Sequence, residues 1–294
     1  FVAVLVPSLA SAQKWKRQRY EYSVGIGATN FLGDLGGRNQ TGTNGIMDFD
    51  LSAMRYAIGV GYRYQLAERF FAKGNLFYAL VGGSDGFTED YARSARSLHF
   101  KSNVIELSGQ MEFSFIKPKT SSLYRLRGVR GKKSFQLEIY AFAGLGGIWF
   151  DPRAQKDGKW HRLAPLNTEG QGLPGGPDDY SSFSVVIPYG IGIKKNLGAG
   201  ARTRHFGSFS ISLELSMRKT FTDYMDDVSD TYYNDGGSHT IAAAYGDDAG
   251  YFHDPSGVYA DGGYGYAQQR GDATNKDSYL MGMISLHYKP ARKR

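Results

Sequence analysis

The chain of 294 residues contains no cysteine, and it has no continuous run of 18 or more apolar residues. The first absence excludes disulfide bonds and thiol chemistry, and the second excludes a membrane-spanning helix. The mean hydropathy of −0.40 and the 21% of charged residues resemble those of a soluble protein. The strands of a membrane barrel, however, alternate in polarity and are hidden in such averages. The 39 glycines and 14% aromatic residues suit such a barrel and also suit a soluble all-β domain.

Alternation of apolar and polar residues is the strongest pattern in the chain. In the stretch MRYAIGVGYRYQ, Tyr56, Ile58, Val60 and Tyr62 alternate with alanine, glycine and arginine. Successive side chains of a strand point to opposite faces, so this stretch has one wholly apolar face. The pattern recurs along the chain, and the segments between the repeats show no convincing helical periodicity. It predicts eight strands, near residues 20–28, 53–65, 70–81, 98–116, 134–149, 183–195, 207–220 and 278–289.

The connections between these strands alternate between long and short. Residues 13–294 are therefore predicted to form a single all-β domain, an eight-stranded antiparallel up-and-down transmembrane β-barrel with long extracellular loops. The four long loops carry a formal charge of −13, and the opposite end of the barrel carries +17. The net charge of +7 thus reflects two oppositely charged ends, and we predict no nucleic-acid partner. A soluble barrel of lipocalin type is the alternative architecture.

Residues 1–12, FVAVLVPSLASA, end in the small-residue pattern that signal peptidase cleaves. We interpret them as a residual signal peptide, with Gln13 as the mature N-terminus. A buried N-terminal strand or helix is the alternative. Export and the strand pattern together predict a multi-pass β-barrel in the outer membrane of a Gram-negative bacterium, with lipid against the apolar faces.

The second face of the predicted strands carries five acidic and five basic residues. Eight strands enclose a space that side chains fill, and unpaired charges there would be costly. We therefore predict ion pairs inside a plugged barrel, which argues against a diffusion pore. The ten residues are Glu21, Arg55, Arg63, Lys73, Glu106, Glu112, Glu138, Lys194, Glu214 and Arg218.

Residues suited to catalysis are few. Some eight-stranded membrane barrels are lipid-modifying enzymes or proteases, which need a histidine with a carboxylate or serine near the outer rim. His99 is the best-placed histidine, with Ser97, Ser102 and Glu106 nearby in sequence. Such common residues also occur together by chance, so we expect no enzymatic activity and no cofactor.

The last long loop holds two further short patterns. Asp226, Asp227 and Asp230 are clustered hard oxygen ligands of the kind that binds calcium, but the spacing of an EF-hand is missing. We prefer the interpretation of a solvated acidic loop without a metal. Residues 270–272 match the integrin-binding tripeptide Arg-Gly-Asp, a pattern so short that we assign it no function.

Two stretches resemble the PorG-like outer-membrane barrels of Bacteroidota. They are YSVGIGATNFLGDLGG after the N-terminus and RKTFTDYMDDVSDTYYND after the seventh predicted strand. The resemblance spans the mature chain, although loops three and four, including the Gly- and Pro-rich QGLPGGPDD, match no pattern that we can name. Its specificity lies in Asn30, Phe31, Gly33, Asp34 and Leu35 of the first stretch and in Thr222, Asp223, Tyr224, Asp226, Asp227, Val228, Ser229 and Tyr232 of the second.

This resemblance implies a non-enzymatic component of the type IX protein secretion system, which also supports gliding motility. PorG-like barrels are associated with a periplasmic lipoprotein ring of PorK and PorN type, and other secretion-system membrane proteins are further potential partners. A basic periplasmic rim would suit docking to an acidic ring, and the alternative is contact with phospholipid headgroups. A standalone structural or adhesive barrel and a lipid-modifying enzyme are the other functions considered. The predicted docking residues are Lys117, Lys119, Arg125, Arg127, Arg130, Lys132, Lys133, Arg202 and Arg204.

Overall fold

The computed structural model describes residues 18–35, 53–87, 96–117, 137–197, 207–233, 237–257 and 269–290. The predicted signal peptide, residues 1–12, lies outside these ranges. Within them the chain forms nine β-strands and two α-helices, apart from single 3-10 turns. The strands are β1 (Tyr20–Leu32), β2 (Arg55–Gln65), β3 (Phe70–Ser84), β4 (His99–Ile116), β5 (Leu137–Lys156), β6 (Lys159–Arg162), β7 (Phe183–Asn196), β8 (Ser208–Thr220) and β9 (Ser278–Lys289), and the helices are α1 (Gly237–Tyr245) and α2 (Asp247–His253).

Eight of these strands close into an antiparallel barrel. Each pairs with its neighbours along the chain, β1 pairs with β9, and β5 pairs with both β4 and β7. The short strand β6 pairs only with the far end of β5 and forms a hairpin outside the ring. The predicted eight-stranded up-and-down barrel is confirmed. Strand β5 runs to Lys156, beyond the predicted end at residue 149, because it continues past the ring as this hairpin.

The outer face of the barrel is an apolar belt. Ile26, Leu107, Leu145 and Leu213 all expose more than half of their side-chain surface. Aromatic residues border the belt at both ends, as amphipathic rings do at membrane interfaces. A soluble barrel of lipocalin type would turn such a surface inward, so that alternative is wrong. The aromatic residues are Tyr20, Tyr22, Tyr62, Phe70, Phe115, Phe209 and Tyr288 at the periplasmic end and Tyr56, Phe183 and Phe221 at the extracellular end.

Among the described strands, closure leaves no unpaired edge along the apolar belt, as a spanning structure requires. The protein is therefore an outer-membrane β-barrel, with its short turns in the periplasm and its long loops outside. Within the described ranges, no helix has both the length and the apolar character needed to cross a membrane.

Two short helices lie in the loop between β8 and β9, where the sequence analysis found no helical periodicity. Helix α1 buries only Gly237 and Ile241, and α2 has seven residues. A helix that buries so few apolar side chains leaves no periodic pattern in the sequence. The two helices pack on each other through Ile241 and Ala249.

The barrel interior is divided into two halves along its axis. The extracellular half is apolar, with Phe31, Phe77, Val104, Phe150 and Met281 almost fully buried in one cluster. Loop residues complete this cluster from outside the strands, namely Leu35, Leu98, Met225 and Val228. The periplasmic half holds the charged side chains. The apolar cluster therefore forms a floor beneath the long loops, and the loops cover the mouth of the barrel.

Candidate functional site at the mouth of the barrel

The charged residues in the periplasmic half form linked ion pairs. The Arg63 guanidinium lies between two glutamates, with Nε 2.6 Å from Glu112 Oε2 and Nη2 2.7 Å from Glu138 Oε1. Glu21 lies beside the same guanidinium at 3.6 Å and also pairs with Lys194. Apart from Glu21, these side chains are buried in the lumen near the periplasmic end.

A second group of ion pairs lies towards the middle of the barrel. Lys73 Nζ is 2.6 Å from Glu214 Oε1, and the Tyr140 hydroxyl donates to the same oxygen at 2.6 Å. Arg218 Nε donates to Glu106 Oε2 at 2.8 Å. Nine of the ten charged residues predicted for the interior thus lie in these two groups. The tenth, Arg55, lies near the extracellular end, where its Nη1 donates to the Met54 carbonyl oxygen.

The two sequence stretches that carry the resemblance meet at the extracellular mouth. The backbone N–H of Leu35 donates to Asp226 Oδ2 at 3.2 Å, which ties the turn after β1 to the loop after β8. Asp34 accepts a hydrogen bond from the backbone N–H of Asp272 at 2.8 Å, and Asp277 accepts one from Met225 at 2.9 Å. Carboxylates therefore bind backbone groups of neighbouring loops and hold the loops together. We call this assembly, residues 33–35, 223–229 and 270–277, the mouth plug.

Close packing in the mouth plug explains two of its glycines. A Cβ atom at Gly33 would clash with the Asp277 carboxylate and with the Phe31 ring. A Cβ atom at Gly271 would lie 2.5 Å from Asp34 Oδ2 and 2.8 Å from the Ser229 backbone nitrogen. Only glycine allows the loops to approach this closely.

The remaining residues of the two stretches have structural contacts within the same region. Phe31 is fully buried with its ring centroid 4.8 Å from that of Phe100, and Asn30 and Tyr232 are buried. Thr222 Oγ1 accepts a hydrogen bond from the Tyr224 backbone, and the Tyr224 ring stacks on Tyr180 at 4.3 Å. Ser229 Oγ donates to Asp223 Oδ2 at 2.7 Å, and Val228 lies in the apolar floor.

Two buried arginines anchor the mouth plug, and the sequence analysis assigned neither a role. Arg270 exposes 2% of its surface, and its Nη1 lies 2.8 Å from Glu169 Oε1 and donates to the Asp227 carbonyl oxygen at 2.6 Å. Arg96 donates to both carboxylate oxygens of Asp85 and to the Asp34 carbonyl oxygen. Because Arg270 is buried, residues 270–272 cannot present an arginine to an integrin.

The remaining partners in the plug were also missed, namely Asp85, Thr168, Glu169, Tyr180, His253 and Asp277. They come from three different loops and form no motif in the sequence. The only indication of these contacts in the sequence was the number of carboxylates in the long loops, and that number does not identify individual contacts.

Burial raises the pKa of the carboxyl groups in the mouth plug. It raises the pKa of Asp223 to about 7 and that of Asp34 to about 6, and neighbouring carboxylates add to both effects. Burial and the nearby acidic groups hold the pKa values of Asp226 and Asp277 well above their usual range. The pKa of Asp227 also rises to about 6 through burial, although Arg270 opposes the shift. These groups bind protons more tightly in the closed plug than in an open loop.

The closed mouth plug is therefore expected to be more stable at pH 5 than at pH 8. A carboxyl group with a raised folded-state pKa gives stability at low pH that is lost as the pH rises from about 4 to about 7. We expect hydrogen exchange of the backbone amides at 223–229 to be at least about tenfold slower at pH 5, after correction for the intrinsic pH dependence of exchange. Asp223→Asn removes the group with the pKa of about 7 and should reduce this difference. Equal protection factors at both pH values in the unmodified protein would contradict the expectation.

The candidate calcium ligands do not converge on one point. Asp226 accepts hydrogen bonds from the backbone N–H groups of Leu35 and Val228, whereas Asp227 accepts from Thr168 and Tyr180. Asp230 is exposed on the loop surface. In the part of the chain that the structure describes, no group of three or more acidic or histidine side chains is arranged to hold a metal ion.

His99 faces away from the carboxylate considered as its partner. Residues of β4 alternate, so His99 lies on the outer side and Ser102 and Glu106 lie on the inner side, where Glu106 pairs with Arg218. His99 Nε2 accepts a hydrogen bond from the Gln155 backbone N–H at 3.0 Å. Ser97, at the loop end before the strand, has a positive φ of 57°.

Lys117 is the described member of the predicted docking rim. Its Nζ lies 3.0 Å from Glu68 Oε1, on a surface where Glu68 is largely exposed. The other members of the rim lie outside the described residues, and they are Lys119, Arg125, Arg127, Arg130, Lys132, Lys133, Arg202 and Arg204.

A family model described as "Domain of unknown function (DUF6089)" matches residues 1–162, which is more than half of the chain. This chain belongs to the DUF6089 family. The matched part of this DUF6089 protein contains β1 to β6, the first resemblance stretch and Arg96. It does not contain the second stretch or Arg270, so the mouth plug joins the matched part to the rest of the chain.

No curated protein matches the sequence. Solved structures similar to this DUF6089 protein are outer-membrane and surface proteins with low sequence identity. Ail of Yersinia pestis is 9% identical, with 92% of this chain and 98% of Ail covered and a TM-score of 0.38. OprG of Pseudomonas aeruginosa is 10% identical, with 94% and 98% covered and a TM-score of 0.36. Neisserial surface protein A is 6% identical, with 92% and 96% covered and a TM-score of 0.36.

Proposed function

We propose that this DUF6089 barrel is a non-enzymatic component of the type IX protein secretion and gliding machinery. One observation carries the proposal: the two stretches that resemble PorG-like barrels form one hydrogen-bonded unit. Asp226 of the second stretch accepts from Leu35 of the first, and Asp272 donates to Asp34. Residues that are far apart in sequence and resemble one family thus act together in space.

The filled interior supports a scaffold rather than a diffusion route. Arg63, Lys73 and Arg218 each occupy the lumen and are paired with buried glutamates. The apolar floor and the mouth plug cover the extracellular end. A barrel of this kind offers two surfaces for assembly, its loops outside and its turns in the periplasm.

The basic turns are the proposed docking surface for a periplasmic lipoprotein ring of PorK and PorN type. Residues 117–133 carry seven basic residues and no acidic residue. Such a turn would attract and orient an acidic protein surface. The competing occupant is the headgroup layer of the periplasmic leaflet, which attracts basic residues for the same reason.

Two other functions make different predictions. A standalone structural or adhesive barrel needs no periplasmic ring, so no ring protein would co-purify with it after mild solubilisation. A lipid-modifying enzyme would require His99, whose Nε2 is already held by the Gln155 backbone N–H. Replacing His99 would abolish a lipid-modifying activity and would leave a secretion component unaffected.

Deletion of the gene tests the proposal, with secretion of cargo proteins that bear the C-terminal signal as the measurement. We expect the deletion to abolish secretion of this cargo and the intact gene to restore it. Unchanged secretion in the deletion strain would refute the secretion role and leave the barrel fold unaffected.

A rim variant tests the docking surface separately. Replacing Arg125, Arg127, Arg130, Lys132 and Lys133 with glutamine should remove co-purifying ring proteins while the barrel still reaches the outer membrane. The matched control replaces Lys195 with glutamine, which is an exposed cation on β7 near the same end. Retention of the ring by the five-residue variant would favour the headgroup interpretation over protein docking.

A further inference from the structure

The extracellular end of the outer barrel face carries a group of basic side chains next to the apolar belt. Lys101 on β4 lies opposite Arg153 on β5, and Arg153 lies opposite Arg162 on β6. Paired residues of neighbouring strands project to the same side, so all three face away from the barrel interior. We call Lys101, Arg153, Trp160 and Arg162 the outer cationic patch.

The patch is organised by two sets of contacts. Asp151 is buried and accepts from Arg153 Nε and from Arg162 Nε, each at 2.7 Å. The Lys101 ammonium lies 3.5 Å from the centroid of the Trp160 ring, a cation–π contact. Asp151 thus holds two guanidinium groups side by side, and Trp160 holds the ammonium near them. With one carboxylate among three cations, these four charged groups carry a net charge of +2.

The position of the patch matches the level of lipid headgroups. Ile105 and Trp149 face each other four residues below the Lys101 and Arg153 pair. At about 3.3 Å per residue this separation is roughly 13 Å along the strands, and about 10 Å along the membrane normal for tilted strands. Trp149, Tyr56 and Phe183 lie at the upper border of the apolar belt. The cations therefore lie just outside the hydrocarbon region, in the outer leaflet.

We propose that the outer cationic patch binds the phosphorylated headgroup of an outer-leaflet glycolipid. Guanidinium groups bind phosphate oxygens through paired N–H donors, and the excess positive charge complements a phosphate. The Trp160 ring is 41% exposed and offers an apolar surface beside the cations. The ring suits the sugar and the first acyl carbons of such a lipid. This proposal does not depend on the secretion role.

The test uses the full-length barrel, folded in detergent and titrated with bisphosphorylated lipid A, with binding measured by microscale thermophoresis. The variant Lys101→Gln with Arg162→Gln removes two cations and leaves Arg153 paired with Asp151. We expect about fivefold weaker binding for each cation removed, and therefore about 25-fold for the pair. Lys195→Gln, which removes an exposed outward cation at the periplasmic end, is the matched control and should bind as the unmodified barrel does.

Two further titrations identify the ligand chemistry. Dephosphorylated lipid A should bind at least tenfold more weakly than the bisphosphorylated lipid, and millimolar inorganic phosphate should not displace it. Equal binding by the double variant and the unmodified barrel would overturn the proposal. Equal binding of the dephosphorylated lipid, displacement by inorganic phosphate, or the same loss in Lys195→Gln would also overturn it. Resistance of each variant to unfolding in cold dodecyl sulfate confirms that the barrel is folded.

Discussion

Replacing Arg63 with methionine is expected to destabilise the folded barrel by about 3–5 kcal/mol. The substitution removes the cation that pairs with Glu112 and Glu138 at 2.6 and 2.7 Å. Both carboxylates are at most 11% exposed, so they would remain in the lumen without their charge partner. Glu21 would keep its contact with Lys194 and contributes less to the effect. Urea unfolding in lipid vesicles, followed by tryptophan fluorescence, measures the change in the free energy of unfolding.

The matched control for Arg63 is Lys117→Met. This substitution also removes one cation from an ion pair, but its partner Glu68 is 76% exposed. Exposed pairs contribute about 0–1 kcal/mol, so the control should unfold nearly as the unmodified protein does. Adding Glu112→Gln and Glu138→Gln to Arg63→Met should restore part of the lost stability. If Arg63→Met and Lys117→Met were equally stable, the buried ion pairs would not hold the periplasmic half together.

Replacing Arg270 with methionine is expected to open the mouth plug and leave the barrel closed. Arg270 bridges Glu169 and the carbonyl oxygens of Asp227 and Phe252, and it is buried among them. Loss of a buried cation with several partners costs about 3 kcal/mol or more. Since about 1.4 kcal/mol corresponds to a tenfold change in an equilibrium constant, the open form of the loop should become about 100-fold more populated. Limited proteolysis of intact barrels should then cleave within residues 221–277 at a correspondingly higher rate.

The barrel itself provides the internal standard for this experiment. The Arg270 side chain donates its hydrogen bonds to Glu169, Asp227, Phe252 and His253, which lie outside the barrel strands, so resistance of the barrel to dodecyl sulfate should persist in the variant. Lys159→Met, at an exposed position of β6, is the matched control and should leave the cleavage rate unchanged. Combining Arg270→Met with Glu169→Gln should slow cleavage again, because the carboxylate left without its cation is removed. Cleavage of Arg270→Met at the unmodified rate would show that other contacts keep the plug closed.

Strand positions and the direction of their faces could be predicted because they depend on a local period of two. Tyr56, Ile58 and Val60 alternate with smaller or polar residues, and each of them is exposed on the outer face. The predicted starts of β1, β3, β7 and β9 coincide with the observed ones, and those of β4 and β8 differ by one residue, for the same reason. The two-part interior was not predicted. Phe77 and Val104 lie on the same strand faces as Lys73 and Glu106, and only the extracellular half is apolar.

The mouth plug could be predicted only in part. The stretches around Asp34 and Asp226 were singled out by resemblance, but their contact was not predicted. Arg270 and Glu169 are 101 residues apart, and neither belongs to a recognisable motif. Helix α1 was missed because its buried side chains are too few to produce a helical period, and α2 was missed because its seven residues are too short to show one.

By itself, the sequence determined that this chain forms eight strands, each with one apolar and one more polar face. Alternation is a property of neighbouring residues, so it survives in the sequence without knowledge of strand pairing. Only the tertiary structure decided which charges meet, that Arg63 lies between two glutamates and that Arg270 holds the mouth plug closed. Those contacts depend on the stagger of the strands around the ring and on the path of the long loops, which distant residues set together.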